Sequence, residues 1–187
     1  MGYELPQVDA RIVAGFRIVL STLVALDAAV YLVHFELLFS ERGPMPLAVA
    51  RQIPDPEAVS IFHLLPARDA VVSTVLVLLL VQALLMLVGI AARLQAACIF
   101  VWLVSLQARN DLIVDAEDAV IRLFVFLAIF MPLSATWSWQ ARQRRRAGRS
   151  SARPMSAPVS GWALRLVQIQ TAVIVLSSAL EKLRGRE

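Results

Sequence analysis

A chain of 187 residues that is 59% hydrophobic, with a mean hydropathy of +0.71, carries more apolar surface than a soluble domain, for which about 45–50% is usual. The excess lies in long blocks separated by short charged stretches, which excludes a large soluble domain and predicts a multi-span membrane protein. The formal charge of +4 does not signify nucleic acid, because the arginines stand beside apolar runs, where cytoplasmic anchoring accounts for them; one cysteine, Cys98, excludes a disulfide framework and a metal cluster.

The N-terminal stretch "MGYELPQVDARIVAG" lacks the compact signal-peptide pattern, so the first span is expected to be retained. That span covers about residues 11–39, longer than the roughly 20 residues a crossing needs. The loop after it, "SERGPMPLAVARQIPDPEAVSIFHLLPARD", has prolines and alternating charges that predict turns with short interfacial helices. The second span, about 70–92, is free of charge from Ala70 to Ala92, and Arg93 marks a tight turn. A short third span follows at about 94–108 and a fourth at about 118–139. An Arg-rich loop occupies 140–158, and a fifth span runs from about 161 to 183. The expected fold is all-α: a polytopic helical bundle of about five transmembrane helices, forming a single membrane domain over residues 1–187.

Charge sets the orientation. Arg142, Arg144, Arg145, Arg146, Arg149 and Arg153 crowd one loop, which positive charge keeps cytoplasmic, and Trp137, Trp139 and Trp162 flank it as an interfacial aromatic belt. Counting through five spans places the N-terminus inside. The acidic loops around Glu41–Asp69 and Asp111–Asp118, and the C-terminus, then lie outside. Arg144, Arg145 and Arg146 are candidates for anionic lipid headgroups.

Ionisable residues within apolar spans are costly and therefore functional candidates. Asp27, Tyr31 and His34 stand at i, i+4 and i+7, on one helical face. An Asp–His pair could relay a proton; equally, Asp27 could pair with an arginine of another span while His34 sits at the interface. Two histidines in the whole chain argue against a metal site. Asp118 and Arg122, also i, i+4, combine an acid at a helix N-terminus with a cation one turn on, and are expected to form a polar unit with Asn110. Gln82, Gln168 and Gln170 are expected to bond between helices. Lys182 is the sole lysine. It reads either as a general base or as a cation that caps the last helix and snorkels to the interface.

Three stretches, "FSERGPMP", "VSLQARNDLIVDAEDAVIRLFVFLAIFMPLSATWSW" and "WALRLVQIQTAVIVLSSALEKLRG", resemble in order and spacing the HTTM (horizontally transferred transmembrane) domain of bacterial membrane proteins, a family related to the membrane part of vitamin K-dependent gamma-carboxylase. Ser105, Leu106, Arg109, Asn110, Asp118, Arg122 and the segment from Pro132-Leu133 to Trp137-Ser138 carry most of the likeness. The resemblance implies a bacterial inner-membrane location and places Lys182 at the carboxylase's active-site base, with a quinone or quinol as the implied cofactor. No histidine stands in "VDAEDAVIR", where the carboxylase has one, and the family's spans after the lysine are absent from this sequence. The expected function is accordingly a non-catalytic accessory or interaction subunit of a larger membrane assembly, its partners being the lipid bilayer and other membrane proteins. The second reading is a membrane enzyme using Lys182 as base.

Overall fold

The computed structural model describes residues 6–44, 46, 49, 60–66, 68–110, 114–147 and 157–185. Among these the chain is predominantly helical. Strand β1 (Gln7–Asp9) leads into α1 (Ala10–Val33), followed by the one-turn α2 (Phe35–Leu38) and a 3₁₀ turn at Ile61–His63. Then come α3 (Asp69–Val88), α4 (Ala92–Arg109), α5 (Ala116–Ile129), α6 (Trp139–Arg146), β2 (Pro158–Ser160) and α7 (Trp162–Leu183). Three helices, α1, α3 and α7, are long and apolar enough to cross a membrane.

Each boundary has a local cause. Asp9 caps α1, its carboxylate accepting from the Arg11 N–H at 2.8 Å. The helix ends at Val33 rather than continuing to 39, because the chain bends at His34 and starts a new turn at Phe35. Helix α3 closes on Gly89 (φ +82°), with Ile90 N–H reaching back to Leu85 O and Gly89 N–H to Met86 O, a Schellman stop. A side chain on Gly89 would put its Cβ 2.4 Å from Ser138 Cβ and 2.7 Å from Arg17 Nη1, so the position needs glycine twice over. Ser138 caps α6 by accepting from Ala141 N–H at 3.0 Å.

The largest departure from expectation lies in the fourth segment. Helix α5 stops at Ile129, about ten residues short of the expected limit. Pro132 lacks an N–H and disfavours helix at the residue before it, so residues 130–138 form an irregular turn before α6 restarts at Trp139. The Arg-rich stretch is thus in part a helix rather than a loop. The interfacial helices expected in the first loop lie mostly outside the described residues, which there include the turn at Ile61–His63.

Packing follows the small residues. The buried stripe of α1 is Ala10, Val13, Ala14, Arg17, Leu20, Ser21, Val24 and Ala28, a spacing of three and four that brings α1 against α3. Helix α3 in turn packs on α4, and α4 on α5. Direction alternates along the chain. The Ser40–Glu41 corner after α2 meets Asp69 at the start of α3. The end of α3 at Gly89 returns to Arg17, and the end of α4 at Arg109 returns to Phe39. The Leu133 turn after α5 comes back to Arg17. The clamp β1–β2, antiparallel with Val8 opposite Val159, fixes the start of α7 beside the start of α1.

Candidate functional site

Polar side chains gather at the two ends of the bundle. At the acidic end, the fully buried Arg109 at the close of α4 donates from Nη2 to Phe39 O at 2.7 Å and to Glu41 Oε1 at 2.8 Å, with its guanidinium carbon 5.7 Å from the centre of the Phe62 ring. This is the one ion pair among the described residues. Asn110 Nδ2 donates to Leu38 O at 2.7 Å. Asp69 accepts from Glu41 N–H at 2.7 Å and from Ser40 Oγ at 3.1 Å, so an acid in the first turn of α3 also holds the corner after α2. Ser60 Oγ donates to Ser105 O at 3.0 Å, and Ser105 Oγ accepts from Ile61 N–H at 3.2 Å, tying the 3₁₀ turn to α4. These residues build a lid of backbone and side-chain hydrogen bonds over the helix ends.

At the arginine end, Arg17 is wholly buried in α1 and faces no acid among the described residues. Its Nη1 donates to Leu133 O at 2.8 Å and its Nη2 to Trp137 O at 2.7 Å. Arg93, from the first turn of α4, donates its Nε to Met131 O at 2.7 Å. Carbonyls freed where Pro132 interrupts the helix are therefore taken by two guanidinium groups from other helices. The turn they hold includes Trp137 at φ +48°, a left-handed conformation that costs roughly 1–2 kcal/mol for a non-glycine residue.

Two clefts flank α6 at this end. One, of about 540 Å³, runs between the start of α4, the Pro132–Ala135 turn and α6, with Arg93, Arg144 and Arg145 on its walls. The other, of about 500 Å³, lies between Val88, Trp137, Trp139, Arg142 and Arg145. Among the described residues that line them, none is acidic.

The sequence-predicted residues divide accordingly. Tyr31 Oη donates to Asp118 Oδ1 at 3.3 Å, linking the first and fifth helices of the chain order through a contact not anticipated from sequence. Asp27 is half-buried nearby, and His34 is exposed at the α1 break, so no hydrogen bond joins Asp27 to His34. Asp118 does not pair with Arg122. It caps α5 instead, its Oδ2 accepting from Asp115 N–H at 3.0 Å, while Gln107 Nε2 donates to its carbonyl at 3.4 Å. Asn110 donates to Leu38 O, next to the Phe39 carbonyl that Arg109 holds, and shares no hydrogen bond with Asp118 or Arg122 among the described residues. Gln168 pairs within its own helix, accepting from Arg165 at 2.9 Å, instead of bridging helices. Lys182 is exposed in the last turn of α7, and its side chain has no partner among the described residues. Arg144 and Arg145 line the first cleft, and Arg146 stands beside them on α6. Arg17 escaped the sequence reading although a charge within an apolar run was the signal used for Asp27.

No family model, curated protein or solved structure matches this chain.

Proposed function

We propose that the chain is a five-span HTTM-like membrane bundle that serves as a non-catalytic accessory or interaction subunit of a larger bacterial membrane assembly, with its arginine end in the cytoplasm. Helices α4 and α5 supply the third and fourth spans. At 18 and 14 residues they reach about 27 and 21 Å, and they pack between longer neighbours whose direction they alternate with. The arginines of α6 and the exposed Trp137 and Trp139 at the same end support the cytoplasmic assignment.

The observation that carries the reading is the distal half of α7. Its buried residues are Ala163, Leu164 and Val167, all in the first two turns, whereas Val173, Val175, Leu176, Leu180 and Leu183 are all exposed. Ser177, Ser178 and Ala179 interrupt this surface with small side chains that let another helix approach closely. A bundle helix whose last three turns are largely exposed among the described residues offers a lateral contact to another transmembrane segment. Photo-crosslinking in the native membrane tests this. A photoreactive residue at Leu176 should give a discrete adduct with another membrane protein, and one at Val19, on the exposed face of α1, should not. Equal labelling from both positions, or none from Leu176, overturns the proposal.

The enzyme alternative rests on Lys182. An accessory subunit tolerates Lys182→Arg, whereas a general base does not, because arginine stays protonated at neutral pH. The swap, scored against the phenotype of gene deletion, separates the two readings.

A further inference from the structure

Asp27 lies six residues before the end of α1 at Val33, about 9 Å along the axis, so it stands inside the span rather than at its mouth. A carboxylate at that depth is costly unless a donor or a positive charge meets it. Asp27 is half-buried and takes part in no hydrogen bond or ion pair among the described residues. The charges that act on it, Asp118 and Glu117 of α5, have its own sign. Arg122, one turn along α5, makes no ion pair among the described residues, and His34 is exposed at the α1 break. Oxygen atoms are already arranged beside Asp27. Tyr31, one turn on, donates to Asp118 Oδ1 at 3.3 Å, and its ring packs edge-on against Phe39 at 5.4 Å. Asp118 is fixed in turn by its Oδ2, which accepts from Asp115 N–H at 3.0 Å. From α4, Gln107 is only 6% exposed and turns its amide to the same residue. Its Nε2 donates to Asp118 O at 3.4 Å, while its Oε1 is buried and accepts from no donor. Leaving such an oxygen unmet is costly. A water molecule would satisfy the amide but not the charge of Asp27, so the missing partner is positive.

Charge count selects the kind of cation. Asp118 stands in the first turn of α5, where the helix dipole and the capping N–H offset its charge, and Glu117 is exposed to solvent. That leaves the single charge of Asp27 to balance. No three His, Cys, Asp or Glu side chains converge as a metal set among the described residues, as a calcium site built from several carboxylates would require. We propose that a sodium-sized monovalent cation binds between α1 and α5, with Asp27 as its charged ligand and Asp118 Oδ1, the Tyr31 hydroxyl oxygen and Gln107 Oε1 as the oxygens around it. Such an ion ties α1, α4 and α5 together at the acidic end of the bundle. The proposal does not depend on what the distal half of α7 contacts.

The test uses the full chain purified in mild detergent without sodium. Sodium chloride should raise its thermal midpoint to a plateau, and choline chloride at the same ionic strength should not. Equilibrium binding of radioactive sodium to the unaltered protein should saturate at one ion per chain, a readout independent of variant folding. Asp27→Asn should weaken that binding at least about tenfold, because it removes the charged ligand. Tyr31→Phe should weaken it less, and Glu36→Gln, which neutralises an exposed acid at the same end, should leave it unchanged. An unaltered chain that binds no sodium has Asp27 either protonated or met by a basic side chain of another subunit, and that result overturns the assignment. Equal stabilisation by choline chloride, saturable stabilisation by calcium but not sodium, sodium binding retained in Asp27→Asn, or equal loss in Asp27→Asn and Glu36→Gln would each overturn it as well.

Discussion

Arg17 and Arg109 do opposite jobs with the same group. Arg109 meets a carboxylate, whereas Arg17 meets only carbonyl oxygens, and both are buried. Removing Arg17 takes its donor from the buried Leu133 carbonyl, at about 1–3 kcal/mol, and from the part-buried Trp137 carbonyl, at less. Arg17→Leu is therefore expected to lower stability by about 2–4 kcal/mol in detergent unfolding, and Arg17→Lys to recover only part of it, since an ammonium lacks the planar fork that spans both oxygens. Arg109→Leu removes the buried cation from its pair with Glu41, which is 25% exposed, and takes the donor from Phe39 O, so the expected cost is about 3 kcal/mol, the low end for a broken buried pair. Arg122→Leu, by contrast, breaks no ion pair among the described residues and should cost under about 1 kcal/mol. A larger loss for Arg122 than for Arg109 would reverse this ranking. The difference between the two arginines was not legible from spacing. Asp118 and Arg122 have ideal i, i+4 separation, but an acid at the third helical position can instead turn back to the Asp115 N–H, and spacing alone cannot choose between a cation and a cap.

Among the elements, α3 was the plainest in sequence, because its apolar run is uninterrupted and bounded by charge and glycine. Helix α3 ends where Gly89 demands it, four residues before the expected limit, because apolar Ile90 and Ala91 extend the hydropathy run past the backbone stop. Helix α5 was overestimated for the same reason. Residues 130–138 are apolar enough to resemble a continuing span, yet Pro132 and the turn behind it return the chain to Arg17. Hydropathy reports where side chains avoid water, whereas the helix end depends on N–H groups and φ angles. The strand clamp was invisible, as three residues paired across some 150 positions leave no local pattern. Gly89→Ala tests the α3 stop. It forces a left-handed alanine, worth about 1–2 kcal/mol, and adds a methyl against Ser138 and Arg17, so a drop of at least about 2 kcal/mol is expected. An unchanged unfolding midpoint would mean that the α3–α6 contact is looser than described.

Over the whole molecule, the two ends are chemically different, and the difference is built by chain direction. Five long helices that alternate put Asp69, Asp118, Glu41 and Lys182 at one end and Arg17, Arg93, the α6 arginines and the tryptophans at the other. The overall helical character was readable from the sequence, because continuous apolar runs of about 20 residues fit membrane helices, whereas barrel strands are shorter and alternate. The partners of the polar groups were not readable, since they join residues as far apart as Arg17 and Trp137. Topology is the most direct test of the central claim that all five long helices cross the membrane. Reporters fused after Ala147 and after Gly185 are expected on opposite sides, the first cytoplasmic and the second extracytoplasmic. Finding both on the same side would show that α7 does not cross and would contradict the five-span account.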